Sequence, residues 1–142
     1  MSAELLLDNS AWVRLADESL PAERVDEIAR AMEERRIAVC LPFLLEAGYS
    51  ARNAAEHREL LRELLALPLL RIDAQVERRA IDAQGQLARA GHHRLPPVDL
   101  MMAAIAERHG IGVLHYDGDY EILGTRTDLR FTSVWLASRG SI

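Results

Sequence analysis

Short apolar runs alternate along the chain with longer stretches in which apolar residues recur every three or four positions. Glu4 to Leu7 reads as a short strand running into Asp8, and Ser10 reads as the cap of a helical turn carrying Trp12, Val13 and Leu15. Pro21 suits a first helical position, and Val25, Ile28, Ala29 and Met32 then repeat at helical spacing up to Arg36. Ile37 to Leu41 predicts a buried strand. Pro42 opens a helix to about Ala51, and Leu60, Leu61, Leu64 and Leu65 make the stripe of another from Ala54 to Ala66. Leu69 to Ile72 predicts a strand, and Asp73 caps a long helix ending near Gly91. A helix from Val98 to His109 stops at Gly110; a strand over Ile111–Tyr116, a helical turn over Asp119–Leu123 and a strand over Leu129–Val134 complete the chain.

Strands separated by helices of this length imply right-handed crossovers and a mostly parallel sheet. The prediction is a three-layer α/β/α domain whose strands are covered on both faces, hence their nearly continuous apolar character. The 142 residues suit one domain spanning 1–142.

Composition narrows the chemistry. All 17 basic residues are Arg, against 22 acids, for a net charge of -5. Without Lys there is no Schiff base, P-loop lysine or lysine base. Cys40, the single cysteine, reads as a small buried apolar residue and leaves no disulfide framework or paired-cysteine metal site. MSAELLLDNS lacks the features of a secretory signal, and no apolar run approaches the roughly 18 residues of a membrane span. A cytoplasmic protein without a membrane partner is expected.

In open α/β sheets, ligands bind beyond the carboxyl ends of the strands. Asp8 follows Leu5-Leu6-Leu7, and Asp117 follows the strand ending at Tyr116, so both fall on that edge. Asp99 lies in the first turn of a helix that starts there. Glu46 stands on a helix that is apolar or small almost all round, where an unpaired carboxylate is costly. Other acids, such as Glu56, Glu59 and Glu63, sit beside Arg on polar faces and read as solvated pairs. Spacing alone leaves open whether the first set shares a site. If it does, carboxylates about 4 Å apart repel by roughly 4 kcal/mol per pair at an effective dielectric near 20, and a proton or a cation must relieve them. An all-oxygen donor set selects hard cations such as Mg²⁺ or Mn²⁺, and these point to phosphodiester chemistry.

The segments LLLDNSAWVRL, LPFLLEAGYS, PPVDLMMAAIAERHG and VLHYDGDYEIL resemble, in order and spacing, those of PIN-domain ribonucleases, in particular the VapC-type toxins of bacterial type II toxin–antitoxin pairs. The resemblance covers nearly the whole chain. It implies a PIN-like fold and Mg²⁺- or Mn²⁺-dependent cleavage of RNA. It also implies a VapB-type antitoxin as partner, and a homodimer. By the same resemblance Asp8, Glu46, Asp99 and Asp117 are catalytic and bind metal with Asp119, while Ser10 helps to orient the first carboxylate or a metal-bound water. Asp119 has a second reading as the cap of the following turn. Asn9 stands where many relatives have Thr and is expected to face away from Asp8. Gly118 stands where many carry a larger, often basic residue, which is expected to loosen or reshape the approach to substrate. Setting the five acids aside leaves 17 acids against 17 arginines, a balanced surface.

Arg94, Arg126 and Arg130 are expected near the site as RNA contacts, with ordinary surface arginines as the competing reading. His92, His93 and His57 read as solvent-facing, His109 as a helix-end partner, and His115 as either a packed core residue or a support for Asp117. Trp12 and Trp135 read as core or dimer-interface residues. Two rival functions remain. A receiver-type signalling domain needs a lysine that is missing here, and a catalytically idle PIN domain would act only by binding RNA or antitoxin.

Overall fold

Strands and helices alternate through most of the chain in the computed structural model, which describes residues 2–91 and 94–142. The order is β1 (Leu5–Leu7), α1 (Asn9–Trp12), α2 (Ala22–Glu33), β2 (Ile37–Cys40), α3 (Leu41–Tyr49), α4 (Ala54–Leu64), β3 (Leu69–Leu70), α5 (Ala74–Arg89), α6 (Pro97–His109), β4 (Gly112–His115), α7 (Asp119–Arg126) and β5 (Thr132–Trp135). The sheet order is β3-β2-β1-β4-β5, and every pairing is parallel. Helices cover both faces, giving the expected α/β/α layers with a sheet that is wholly rather than mostly parallel.

The topology explains where a site can form. From β1 the chain winds outward through β2 to β3, then returns across the sheet to β4 on the other side of β1. The strand order therefore reverses between β1 and β4, and loops leaving their carboxyl ends diverge to leave a crevice. Leu5 to Leu7 pair with Gly112 to Leu114, so Asp8 and the residues after His115 emerge side by side.

Local chemistry sets the element ends. All four residues of β2 are fully buried, as a strand covered on both faces requires. Cys40 sits among them, and burial pushes its thiol up to about 12. Asp73 caps α5 by accepting the Val76 N–H at 2.9 Å. Gly110 ends α6 at φ 66°, a left-handed conformation that costs glycine little. No helix among the described residues is long and apolar enough to cross a membrane.

Several predicted boundaries shift. Asp8, not Ser10, caps α1: its carboxylate accepts the Ser10 N–H. Leu65 points to solvent, while Leu64 is buried. β3 stops at Leu70, because the chain must leave the sheet to place Asp73 at the start of α5. β5 begins at Thr132 rather than Leu129. The donors that would have extended it are taken: the Asp128 N–H donates to Gln86 Oε1 at 2.8 Å and the Arg130 N–H to Glu107 Oε2 at 2.7 Å. His92 and His93 lie outside the described residues.

Those last contacts belong to a clamp on the amino edge of the sheet. Arg79 forks onto both oxygens of Glu107 at 2.7 and 3.1 Å and reaches Asp128 at 2.9 Å, joining α5, α6 and the α7–β5 loop. Arg79 and Glu107 are mostly buried, so geometry and charge both favour a strong pair. Glu107→Ala should cost about 1.5–3 kcal/mol, read as a lower urea midpoint at unchanged slope. A midpoint within error of the parent would show that the clamp adds nothing.

Candidate active site

Asp8 is fixed before any ligand arrives. It follows the last residue of β1, its own N–H still donates to Leu114 at 3.0 Å, and the chain then turns into α1. One carboxylate oxygen accepts the Ser10 N–H at 3.1 Å and the Ser10 hydroxyl at 2.5 Å. The other accepts the Tyr120 hydroxyl at 2.7 Å. Ser10 Oγ also accepts the Tyr116 N–H at 2.9 Å, so one hydroxyl ties the end of β4 to the first carboxylate.

Asp99 enters from α6. Pro96 and Pro97 set the start of that helix, and nearly its whole circumference from Asp99 to Ala106 is buried. Asp99 is 6% exposed, its Oδ1 lies 3.4 Å from the Tyr120 hydroxyl, and its Oδ2 is buried with no hydrogen-bond partner. An orphaned carboxylate oxygen in such a place is costly. Burial first, then the charges of Asp8, Asp117, Asp119 and Glu46, push the Asp99 carboxyl up to about 8.

Asp117 and Asp119 come from the loop between β4 and α7. The Asp117 carboxylate accepts the Asp119 N–H at 2.9 Å, so the loop is closed by Asp117 and not by Asp119. Asp119 is thereby left facing Asp99, and burial and Asp117 raise its carboxyl. Asp99, Asp117 and Asp119 each bring an oxygen within 4.8 Å of the others, a group of a size to hold one ion. Glu46, half-buried on α3, completes the set electrostatically. Its carboxyl is raised by burial, then by Asp8 and Asp117.

His115 takes both of its predicted roles. It is fully buried, with its ring 4.7 Å from that of Tyr120 and 4.8 Å from that of Trp135. Nδ1 accepts the Asp117 N–H at 3.1 Å, so the proton sits on Nε2, which donates to Ser133 at 2.7 Å. Burial lowers its pKa and keeps it neutral beside the acids.

Three expectations are corrected. Arg130 precedes β5 on the amino edge, where its backbone is bound to Glu107, and Arg126 ends α7, seven residues or about 10 Å from Asp119. Neither stands beside the carboxylates; exposed Arg94, in the loop leading to α6, is on their side of the sheet. Asn9 does not continue the strand alternation, because it opens α1; its Oδ1 is buried without a partner. At Gly118 the approach is reshaped rather than loosened. The Arg139 guanidinium occupies the space, and a Cβ at Gly118 would meet it at 2.7 Å. Tyr120 is the main participant that spacing missed: a tyrosine at helical spacing with Leu123 reads as core, and only the fold aims its hydroxyl at Asp8.

The PIN domain family matches residues 5–124, which contain all five acids. The chain belongs to the PIN domain family. Among curated relatives, ribonuclease VapC51 of Mycobacterium tuberculosis is 36% identical over 144 aligned positions, covering 100% of this chain and 99% of the relative. Ribonuclease VapC21 of the same species is 37% identical, covering 99% of each. Among solved structures, the DNA-bound VapBC complex from Salmonella typhimurium matches with a TM-score of 0.72 over 95% of this chain and 99% of that one, at 20% identity, which supports the PIN fold.

The acid cluster makes stability depend on pH. In the unfolded chain Asp99 ionises near about 3.9, whereas the native PIN domain holds its proton up to about 8. The native state thus binds a proton the unfolded chain lacks, and the stability this contributes is full below the lower value and lost as pH rises through the higher. Without divalent ions, stability should fall by on the order of 3 kcal/mol between about pH 5 and pH 8. Asp99→Asn should flatten that slope. Urea unfolding in chelator across this range checks it, and a parent curve as flat as the variant's would count against a protonated Asp99.

Proposed function

We propose that this PIN domain, spanning 1–142, is an Mg²⁺- or Mn²⁺-dependent endoribonuclease, the toxin of a VapBC-type pair acting in the cytoplasm. The single observation that carries this reading is the buried Asp99 carboxyl, one of whose oxygens has no partner, in a 4.8 Å group with Asp117 and Asp119. Such a group needs a proton or a cation, and an all-carboxylate set suits a hard divalent ion.

Asp99, Asp117 and Asp119 would hold the ion with Asp8, and Glu46 would border it. Bound there, a divalent ion supplies positive charge against the negative charge that develops on a phosphodiester attacked by water. The chain's own residues do the rest. Ser10 and Tyr120 hold Asp8 in one orientation, so no rearrangement is needed at reaction. His115 fixes the Asp117 backbone. Glu46, half-buried and with a raised carboxyl, is suited to take a proton from the attacking water.

The toxin assignment draws on relatives named as VapC ribonucleases and on a neighbour solved as a VapBC complex. A VapB-type antitoxin is therefore the proposed protein partner. A homodimer draws support from α3, where Leu41, Leu45 and Tyr49 form an exposed apolar stripe at four-residue spacing. The presence of all five acids in the chain, three of them within one 4.8 Å group, argues against the catalytically idle alternative.

Asp8→Asn and Asp99→Asn should each lower Mn²⁺-dependent cleavage of single-stranded RNA by about a thousandfold or more, as loss of a carboxylate that holds the ion would. Circular dichroism and melting should show both variants folded. Cleavage at parental rates by a folded variant would sink the proposal.

A further inference from the structure

Two cations flank the carboxylate cluster without pairing with it. Arg14, in the turn after α1, donates to the Ser10 carbonyl at 2.8 Å, and its guanidinium lies 4.8 Å from the centroid of the Tyr116 ring. Arg139 crosses over Gly118, with its guanidinium 5.7 Å from the centroid of Trp135. Tyr116 and Trp135 meet edge to face at 5.6 Å. The four side chains form a row of cation, ring, ring and cation beside the loop that carries Asp117 and Asp119.

These two arginines lie over aromatic rings rather than against carboxylates. Among the described residues, Arg24, Arg36, Arg52, Arg62, Arg79 and Arg108 each have a carboxylate within 4.0 Å, and Arg14 and Arg139 do not. An aromatic face restrains a guanidinium without neutralising it or using its in-plane donors. Both therefore keep charge and hydrogen-bonding capacity beside acids that would repel a polyanion. A surface groove of about 580 Å³ continues from Arg139 past Trp135 to Arg24, and no acidic residue lines it.

We infer that this row grips the backbone of the RNA substrate, with Arg14 and Arg139 binding phosphates of the strand presented to the carboxylates. The inference deepens the ribonuclease reading and rests on it. Guanidinium forks suit phosphate oxygens, and the grip is indifferent to base identity.

The full chain with Mn²⁺ and a fluorescein-labelled single-stranded RNA of mixed sequence provides the test. Arg14→Gln and Arg139→Gln should each raise KM about fivefold with kcat within about twofold, and each should reduce the salt dependence by about 0.7 in slope. Arg30→Gln, on the last turn of α2, should change neither. Gly118 has helical φ and ψ of -61° and -15°, so Ala fits its backbone and displaces only the Arg139 side chain. Gly118→Ala should therefore reproduce Arg139→Gln, and the double variant should be no weaker than either single one. Unchanged KM and salt slope in both arginine variants would overturn the inference. If the parent cleaves no RNA, the ribonuclease reading fails by itself. Fluorescence anisotropy with the same RNA then decides: about fivefold weaker binding by the arginine variants supports the row, and equal affinity overturns it.

Discussion

Repulsion among carboxylates at the reversal of strand order is the constraint around which the rest of the structure is arranged. A buried acid with an unpartnered oxygen is costly to keep ionised beside other carboxylates. Either a proton or a cation must share the space. The fold does not avoid this cost; it concentrates it. α6 carries Asp99 into the core on a helix too buried to let it reach water, and the β4–α7 loop brings Asp117 and Asp119 against it.

Support for the cluster comes from neutral groups, as it must if charge is to remain available for a ligand. Ser10 and Tyr120 satisfy Asp8 with hydroxyls, and buried His115 stays neutral while it fixes Asp117 through the backbone. The strong ion pairs lie elsewhere, in the Arg79–Glu107–Asp128 clamp on the opposite edge of the sheet. Stability and chemistry are thus divided between the two edges, the usual separation in parallel α/β folds. The Arg14 and Arg139 guanidiniums, beside the loop that carries Asp117 and Asp119, lie over aromatic rings.

Much of this was legible in the sequence because it depends on local pattern. Continuous apolar runs marked β1, β2 and β4, and an acid just past such a run lands at the carboxyl edge whatever the loop details. Glu46 stood out because its helix has no polar face to receive a carboxylate, and Asp99 because it opens a helix that starts at that edge. Contacts made across the fold were not legible. Tyr120 has the spacing of a core residue, and only the sheet order turns its hydroxyl to Asp8. Arg139 is distant in sequence from Gly118, whereas Arg126 and Arg130 are close to Asp119 and stand apart from it in space. β5 starts late because side chains of α5 and α6 capture its backbone, a competition no strand pattern records.

The central claim is that the cluster exchanges a proton for a divalent cation. Calorimetric titration of Mn²⁺ into the full chain near pH 7, repeated in buffers of different ionisation enthalpy, measures this directly. Saturable binding that releases about one proton per ion, with the release abolished in Asp99→Asn, is the outcome expected if burial and neighbouring charge hold a proton on Asp99. No saturable binding, or binding without proton release, would contradict it.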